Sequence, residues 1–589
     1  MFLATTAIEA TWDTGRPILF LGEWCRRHSR REQWQELDVK VHPYHWDDRE
    51  KYNRDYQYLT NIYEKCLESL GVELNRVHST RASKRYWRIL IGPWLRFYID
   101  ALFDRFETVR TAGETGAVNA SWVLPYTLES CAPEAFTDFY RSLNDDSWNH
   151  ILYAECGNAL GIPASSAPGA ARIVPEACIS TQGKSWGKVA RRGLVSIGRL
   201  IPSKLNQYVF VSAYLPPARL AHLQLSLRQI PYLASPFIAL PPAPVDRLMR
   251  KQLALDFGES AFCKLLGRLL PSFAPKNYLE NYGQLRQSAL LQYPQCPRAI
   301  FTANAYQADD GFKLWAAEQK QRGVPLIIGQ HGGNMGLAHH NQTEDHQVRI
   351  ADSFCSWGWT RADAPSIAPM PALQLSEKSI SDQRDGSVIL VLASLPRYFY
   401  CHFSMPVAGQ FLAYLEKQYA FVNRLDTALK KQLRIRLNGD EYGWDIKQRF
   451  ESQNMGSWID NTAEKLESSL QKSRLCIVSY NATVILQLLA ANFPVVAFWD
   501  SKYYDTRPEA SASIESLKAA GILHDSYESA AALVNGIHND IQSWWLRPEL
   551  QTARTAFCNQ YARTSDSWTA DWRKHLEAVV NREIPDEAC

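Results

Sequence analysis

Short apolar runs that stop abruptly at glycine or polar residues recur along this chain, and between them lie stretches whose apolar positions follow a helical period. Val324–Ile328 is the clearest run, and it ends at Gly329-Gln330-His331-Gly332-Gly333. Upstream, Arg298–Asn304 reads as a strand and Asp309–Arg322 as a helix, so 298–328 has the length of a βαβ unit. Tyr208–Leu215 and Pro17–Leu21 are further strands, the latter ending at Gly22-Glu23, with a helix expected over Arg26–Gln33. A second series follows: Val388–Ala393, Leu433–Leu437, Leu475–Ser479 and Val495–Phe498 read as strands, with helices at Pro406–Gln418 and Thr483–Ala491. Long helices are predicted from about Asp48 to Leu70 and over Ser83–Arg105. Strands alternating with helices predict an α/β protein with parallel sheets, whose ligands sit beyond the carboxyl ends of the strands.

At 589 residues the chain exceeds one ordinary core. Residues 1–365 are expected to form a first Rossmann-like domain with helical and basic insertions. Residues 366–386, rich in Ala, Pro and Ser, read as a linker, and 387–542 as a second Rossmann-like domain. The stretch 543–589 holds Trp544, Trp545, Trp568 and Trp572 at helical spacing, and is expected to pack back on the first domain.

Composition narrows the classes. Hydrophobic residues make up 46% and charged residues 21%, which excludes wholesale disorder, and a net charge of +3 argues against a nucleic-acid partner. The 12 cysteines show no zinc-site spacing and suit reduced, buried thiols in the cytoplasm. The first residues carry Glu9 and Asp13 and no basic stretch, unlike a secretory signal, and no window has the ~20 apolar residues of a membrane span. Residues 177–245 contain no acid but many Lys and Arg, which points to peripheral contact with an anionic membrane at its inner face, or to basic residues compensated elsewhere.

Candidate chemistry gathers at strand ends. Gln330, His331, Gly332 and Gly333 form either a ligand-facing nest or a glycine turn around a structural histidine. Glu23 lies on a ligand side or caps a helix, and Asp47 and Asp48 are candidate bases or plain helix-start acids. Ser479, Tyr480, Asn481 and Thr483 lie between a strand and a helix, where hydroxyls and a helix N-terminus favour a phosphate-bearing ligand or simply cap the helix. No Walker loop and no GxGxxG motif is present, and no metal site is expected.

GEWC at 22–25, PYHWDDR at 43–49, RYWRILIGPWL at 85–95, IGQHGG at 328–333, ADSFCSWGW at 351–359, DEYGWD and SYNATVILQLLAANFPVVAFW at 479–499 together resemble a family of transferases encoded in bacterial O-antigen and other surface-polysaccharide loci. The resemblance runs over nearly the whole chain and implies a GT-B fold, two Rossmann-like domains facing a cleft. The QHG and S-x-N-x-T elements are also locally similar to transferases using CMP-activated 2-keto sugars such as Kdo or nonulosonic acids. Here Asn334-Met335 and Gln487 stand where relatives often carry Tyr and Glu, which leaves the donor nucleotide open. What the resemblance implies is a glycosyltransferase with a nucleotide-sugar cosubstrate and a glycan or lipid-linked acceptor, needing neither metal nor other cofactor. Arg436 or Arg507 would neutralise donor phosphate, and His331, with Glu23, Asp47 or Asp48, would serve the reacting centre. The competing classes are a polymer phosphotransferase with a CDP-linked donor and a non-enzymatic envelope scaffold.

Overall fold

The computed structural model describes residues 1–169, 171–176, 206–232, 238, 240–376, 386–462 and 464–581. Three five-stranded sheets, parallel throughout, form the frame. Sheet 1 comprises β1 (Phe2–Ala4), β2 (Ile18–Phe20), β3 (Val39–Val41), β4 (Ala120–Val123) and β5 (Ser165–Ser166) in the order 3-2-1-4-5. Sheet 2 comprises β6 (Tyr208–Val211), β7 (Ala299–Thr302), β8 (Leu326–Gly329), β9 (Ser353–Ser356) and β10 (Ile367–Pro369) in the order 10-9-8-7-6. Sheet 3 comprises β11 (Ser387–Val391), β12 (Leu433–Arg436), β13 (Ser473–Val478), β14 (Val495–Phe498) and β15 (Leu523–His524) in the order 12-11-13-14-15. The α/β class and the parallel strands are as the apolar runs indicate, and the stretch 1–365 carries two sheets.

The helices that position the site are α1 (Arg49–His78), α2 (Lys84–Glu114), α3 (Asp310–Gln321), α4 (Gln342–Ile350), α5 (Gln410–Arg424), α6 (Thr483–Ala490) and α7 (Trp568–Asn581). Asp48 caps α1 by accepting from the amides of Glu50 and Lys51. α2 is buried along most of its length and includes the pair Gly92-Pro93.

Sheet 2 shows why its strands read as unbroken apolar runs: both faces are covered. Ile300, Ile328 and Phe354 face the main core, which also holds Phe312 and Trp315 of α3. The alternate residues Phe301, Ile327 and Cys355 pack with Trp568, Trp572, Leu576 and Val579 of α7. Trp572 meets Phe301 edge-on at 5.5 Å and donates its indole N–H to the Pro371 carbonyl at 2.9 Å. The C-terminal helix thus closes the second face of this sheet.

Strand order also says where ligands fit. Sheet 2 runs in sequence order and has no reversal, whereas sheet 1 reverses between β1 and β4 and sheet 3 between β11 and β13. A reversal opens a crevice at the carboxyl ends, because the two crossovers leave in opposite directions. In sheet 1 that position is plugged: the Trp24 and Trp12 indoles donate to the Thr5 and Thr6 carbonyls at 3.0 Å each. In sheet 3 it is lined by polar side chains.

Sheet 1 is locked to the loops after β11 and β12. Arg397 donates to the Trp24 carbonyl at 2.8 Å and to Asp146 at 2.7 Å, and Asp445 accepts from the Ser29 amide at 2.8 Å and from Arg27 at 3.1 Å. That grip accounts for one correction: the helix expected at Arg26–Gln33 is a 3-10 segment, His28–Gln33, broken at Arg30. A second concerns the linker 366–386, whose first part is β10, an edge strand too short and too proline-marked to stand out by pattern. Most of the acid-free stretch 177–245, with the membrane contact expected of it, lies outside the described residues. Among the described residues no helix is long and apolar enough to cross a membrane.

Candidate active site

The loop after β8 meets the start of α6 across a narrow crevice. Gly333 donates its amide to the Thr483 hydroxyl at 2.7 Å. A Cβ on Gly332 would lie 2.4 Å from the same oxygen, and Gly332 has φ +150°, so only glycine lets the two sheets approach this closely. Gln330 anchors the loop from beneath. Its Oε1 accepts from the Trp357 amide at 2.9 Å and from the Trp359 indole at 2.8 Å, while its carbonyl takes the Trp357 indole at 3.0 Å. Its side-chain oxygen therefore shapes the loop, while its buried Nε2 has no hydrogen-bond partner among the described residues.

His331 is half-buried at the tip of this loop, between Tyr214 (ring centres 5.5 Å apart) and Tyr306 (6.5 Å). Loss of surrounding water pushes its pKa down to about 4, so the imidazole is neutral at physiological pH. Tyr214 was not marked by the sequence. It is 49% exposed, has φ +56° and accepts from the Asn304 amide at 2.9 Å. An exposed aromatic residue held in the left-handed region beside a histidine is a feature that functional sites keep and cores avoid.

Across the crevice, the switch point of sheet 3 is built from Ser479, Tyr480 and Asn481, all buried. The Ser479 hydroxyl lies 2.6 Å from the Tyr414 hydroxyl and 3.3 Å from the Val391 carbonyl, tying the ends of β11 and β13 to α5. Neither Ser479 nor Asn481 caps α6: the capping position is Ala482, which has no side-chain acceptor. The first-turn amides of α6 thus have no side-chain cap, and Asn481 makes no side-chain hydrogen bond among the described residues. Beside them lies a cavity of about 250 Å³ lined by Tyr414, Ser479, Trp499, Asp500, Tyr503 and Tyr504. Its aromatic walls and hydroxyls suit a planar heterocycle with polar edges.

The remaining candidates are placed elsewhere. Arg507 joins the two sheets: it pairs with buried Glu344 at 2.8 Å and donates to the Ala338 carbonyl at 2.8 Å, while its amide bonds to Leu337. Arg436, at the end of edge strand β12, is taken up by Asp460 at 3.0 Å and Thr462 at 3.1 Å. Glu23 pairs with Arg26 and packs against Gly409. Asp47 accepts from Gln410 at 3.0 Å, and Asp48 is the cap of α1. These three carboxylates lie where sheet 1 meets the sheet 3 unit, and among the described residues none bonds to His331. No group of His, Cys, Asp and Glu suited to a metal occurs among the described residues.

The architecture defines an α/β protein with a polar and aromatic crevice between two Rossmann-like sheets. Its sequence matches the model of the LIC12162 family transferases over residues 1–576, and the chain belongs to that family. It is a transferase. No curated protein sequence matches it. Among solved structures it is similar to an α,α-trehalose-phosphate synthase (UDP-forming) from Burkholderia vietnamiensis, at 13% identity over 51% of this chain and 74% of that one, with a TM-score of 0.29. It is also similar to MurG of Acinetobacter baumannii, at 12% identity over 63% and 99% with a TM-score of 0.32. A third is WaaG, a glycosyltransferase involved in lipopolysaccharide biosynthesis, at 8% over 51% and 96% with a TM-score of 0.27.

Proposed function

We propose that this transferase is a glycosyltransferase of bacterial surface-polysaccharide biosynthesis, moving a sugar from a nucleotide donor to a glycan or lipid-linked acceptor. The observation that carries the reading is the switch point of sheet 3, where Ser479 lines a 250 Å³ aromatic cavity and the chain runs on through Asn481 into the uncapped start of α6. Nucleotide phosphate would lie at the α6 amides, where backbone N–H groups and the helix dipole favour negative charge, and the base in the cavity. The donor we favour is a CMP-activated 2-keto sugar such as Kdo or a nonulosonic acid.

His331 would face this position from sheet 2, since its loop meets the start of α6 through the Gly333–Thr483 hydrogen bond. Neutral, it can take a proton from the acceptor hydroxyl as the bond to the anomeric carbon forms and the bond to the leaving phosphate breaks. The negative donor opposite would raise its pKa from about 4 and strengthen it as a base once donor is bound. Leaving-group charge is held by amides, so the scheme needs no metal.

A thermal-shift panel of CMP, CDP, UDP, GDP and CMP-Kdo tests the reading. One nucleotide should raise Tm selectively, by ~2.7 kcal/mol of added stability at a hundred times its Kd, and Asn481→Ala should weaken that effect. Preference for a CDP-linked donor would move the assignment to a polymer phosphotransferase, and no shift with any nucleotide would overturn it.

A further inference from the structure

The described part of the chain hides its aromatic residues almost completely. Only Tyr58, at 38%, and Tyr214, at 49%, are exposed, and Tyr214 is the one that lies just past the end of a strand. A solitary exposed tyrosine needs no explanation by itself. This one does, because its backbone is strained: φ is +56° at Tyr214 and +49° at Ser212 two residues before it. Bulky side chains avoid that region, and among the described residues with a side chain that occupy it Tyr214 is the only aromatic one.

Three neighbouring strands hold the ring in place. β6, β7 and β8 lie side by side, so the loops after them share one edge of sheet 2. Tyr214 comes from the first loop, Asn304 from the second and His331 from the third. The Ala303 amide donates to the Ser212 carbonyl at 3.1 Å and pins the strained turn. The Asn304 side-chain amide donates to the Tyr214 hydroxyl at 2.9 Å and fixes the far end of the side chain. The ring is thus fastened at both ends and half open to solvent, with the His331 imidazole 5.5 Å away and tilted from it by 47°.

Sheet 2 has no reversal and so no crevice of its own, and a ligand at this edge needs a surface to lie on. A tyrosine ring is such a surface for a pyranose, whose C–H groups gather on its faces and whose hydroxyls point outward from its rim. The apolar face sheds water against the aromatic ring while the rim stays hydrogen-bonded. Asn304 and His331, the two partners of Tyr214, are uncharged at physiological pH, which suits a neutral sugar.

We propose that Tyr214 is the platform on which the acceptor stacks, a neutral pyranose lying face-on against the ring with a hydroxyl turned to His331. That the sugar is the acceptor rests on the transferase reading above; the stacking subsite itself does not.

Saturation-transfer NMR of the full chain with methyl β-D-glucoside, methyl β-D-galactoside and methyl N-acetyl-β-D-glucosaminide tests it. At least one should receive saturation, strongest at the C–H protons of one ring face. Tyr214→Trp keeps a platform and should keep the signal, Tyr214→Phe keeps the ring without its tether and should fall between, and Tyr214→Gly should lose at least fivefold. Glycine also relieves the left-handed backbone, so the melting temperature of Tyr214→Gly should hold and its nucleotide shift persist. A tyrosine that merely propped up the His331 loop would behave otherwise: Tyr214→Gly would melt lower and lose the nucleotide shift, and that result would overturn the proposal. So would no transfer to any of the three glycosides, transfer spread evenly over both faces, or wild-type transfer in Tyr214→Gly. A nucleotide shift without sugar binding would remove this subsite and leave the transferase reading, and sugar binding without any nucleotide shift would do the reverse.

Discussion

His331 is the residue on which the chemistry turns, and its environment makes a pH prediction with a definite sign. Its pKa in the fold, about 4, lies below the ~6.5 of an unfolded histidine, so the unfolded chain binds the proton first as pH falls. The same holds for buried His150, also pushed down to about 4. The stability contributed by these two histidines should be full above pH 6.5 and lost between 6.5 and 4, with buried His346, pushed down to about 3, extending the loss to lower pH; melts at pH 5 and 7 of wild type and His331→Gln should show the variant losing less. In an NMR titration the His331 ring should stay neutral at pH 5.5 without ligand, and its pKa should rise when nucleotide is bound. Thr483 offers a second test at this scale. Thr483→Val removes the acceptor of the Gly333 amide and should cost about 1 kcal/mol, with a larger loss of donor affinity than of stability.

At the scale of elements, the crevice depends on one close approach and one helix. Gly332→Ala would set a Cβ 2.4 Å from the Thr483 hydroxyl and force φ +150° on a residue with a side chain, a strain of about 1–3 kcal/mol. Nucleotide affinity should fall at least tenfold, and Thr483→Ala in the same chain should restore part of it by removing the clashing atoms, which a double-mutant cycle measures. α7 is the other element: Trp572→Ala deletes the ring that covers Phe301 and should cost ~3–5 kcal/mol in a denaturation experiment. Much of this was legible by pattern. The strands β6, β7, β8, β11, β13 and β14 are buried almost throughout and so read as apolar runs, whereas β9, β10 and β15 did not, and the residues that meet at the crevice lie where those runs stop. In sheet 1 only β2 stood out, as the Pro17–Leu21 run; β1 and β3 are three residues long, β5 is two, and β3 is not fully buried. Tyr214, Tyr306 and Tyr414 were missed because each looks like core: what sets them apart is a left-handed φ, a shared ring between two histidines and a hydroxyl at a switch point, and none of these leaves a mark in sequence. Arg436 and Asp48 show the converse, charged residues at strand or helix ends whose partners lie within their own unit.

Among the described residues the molecule is three sheets, and the sheet 3 switch point is a polar, aromatic one. Sheet 1 has its own switch point but fills it with tryptophan, and it grips the loops after β11 and β12 through Arg397 and Asp445. The sheet 2 and sheet 3 units are held by Arg507, whose partner Glu344 also binds Arg361 at 3.0 Å and the Gly336 amide at 2.8 Å. Arg507→Ala should destabilise by less than the ~3–5 kcal/mol of a fully orphaned buried charge, because Arg361 remains, and should weaken donor binding by loosening the crevice. The central claim is that nucleotide sits at the sheet 3 switch point, facing the glycine loop of sheet 2. Hydrogen exchange of the full chain with and without the stabilising nucleotide tests it most directly. Protection should appear at 391–395, 479–487, 499–504 and 330–336 together, and be lost in Asn481→Ala. Protection confined to sheet 1, or none in these four segments at saturating nucleotide, would contradict the account.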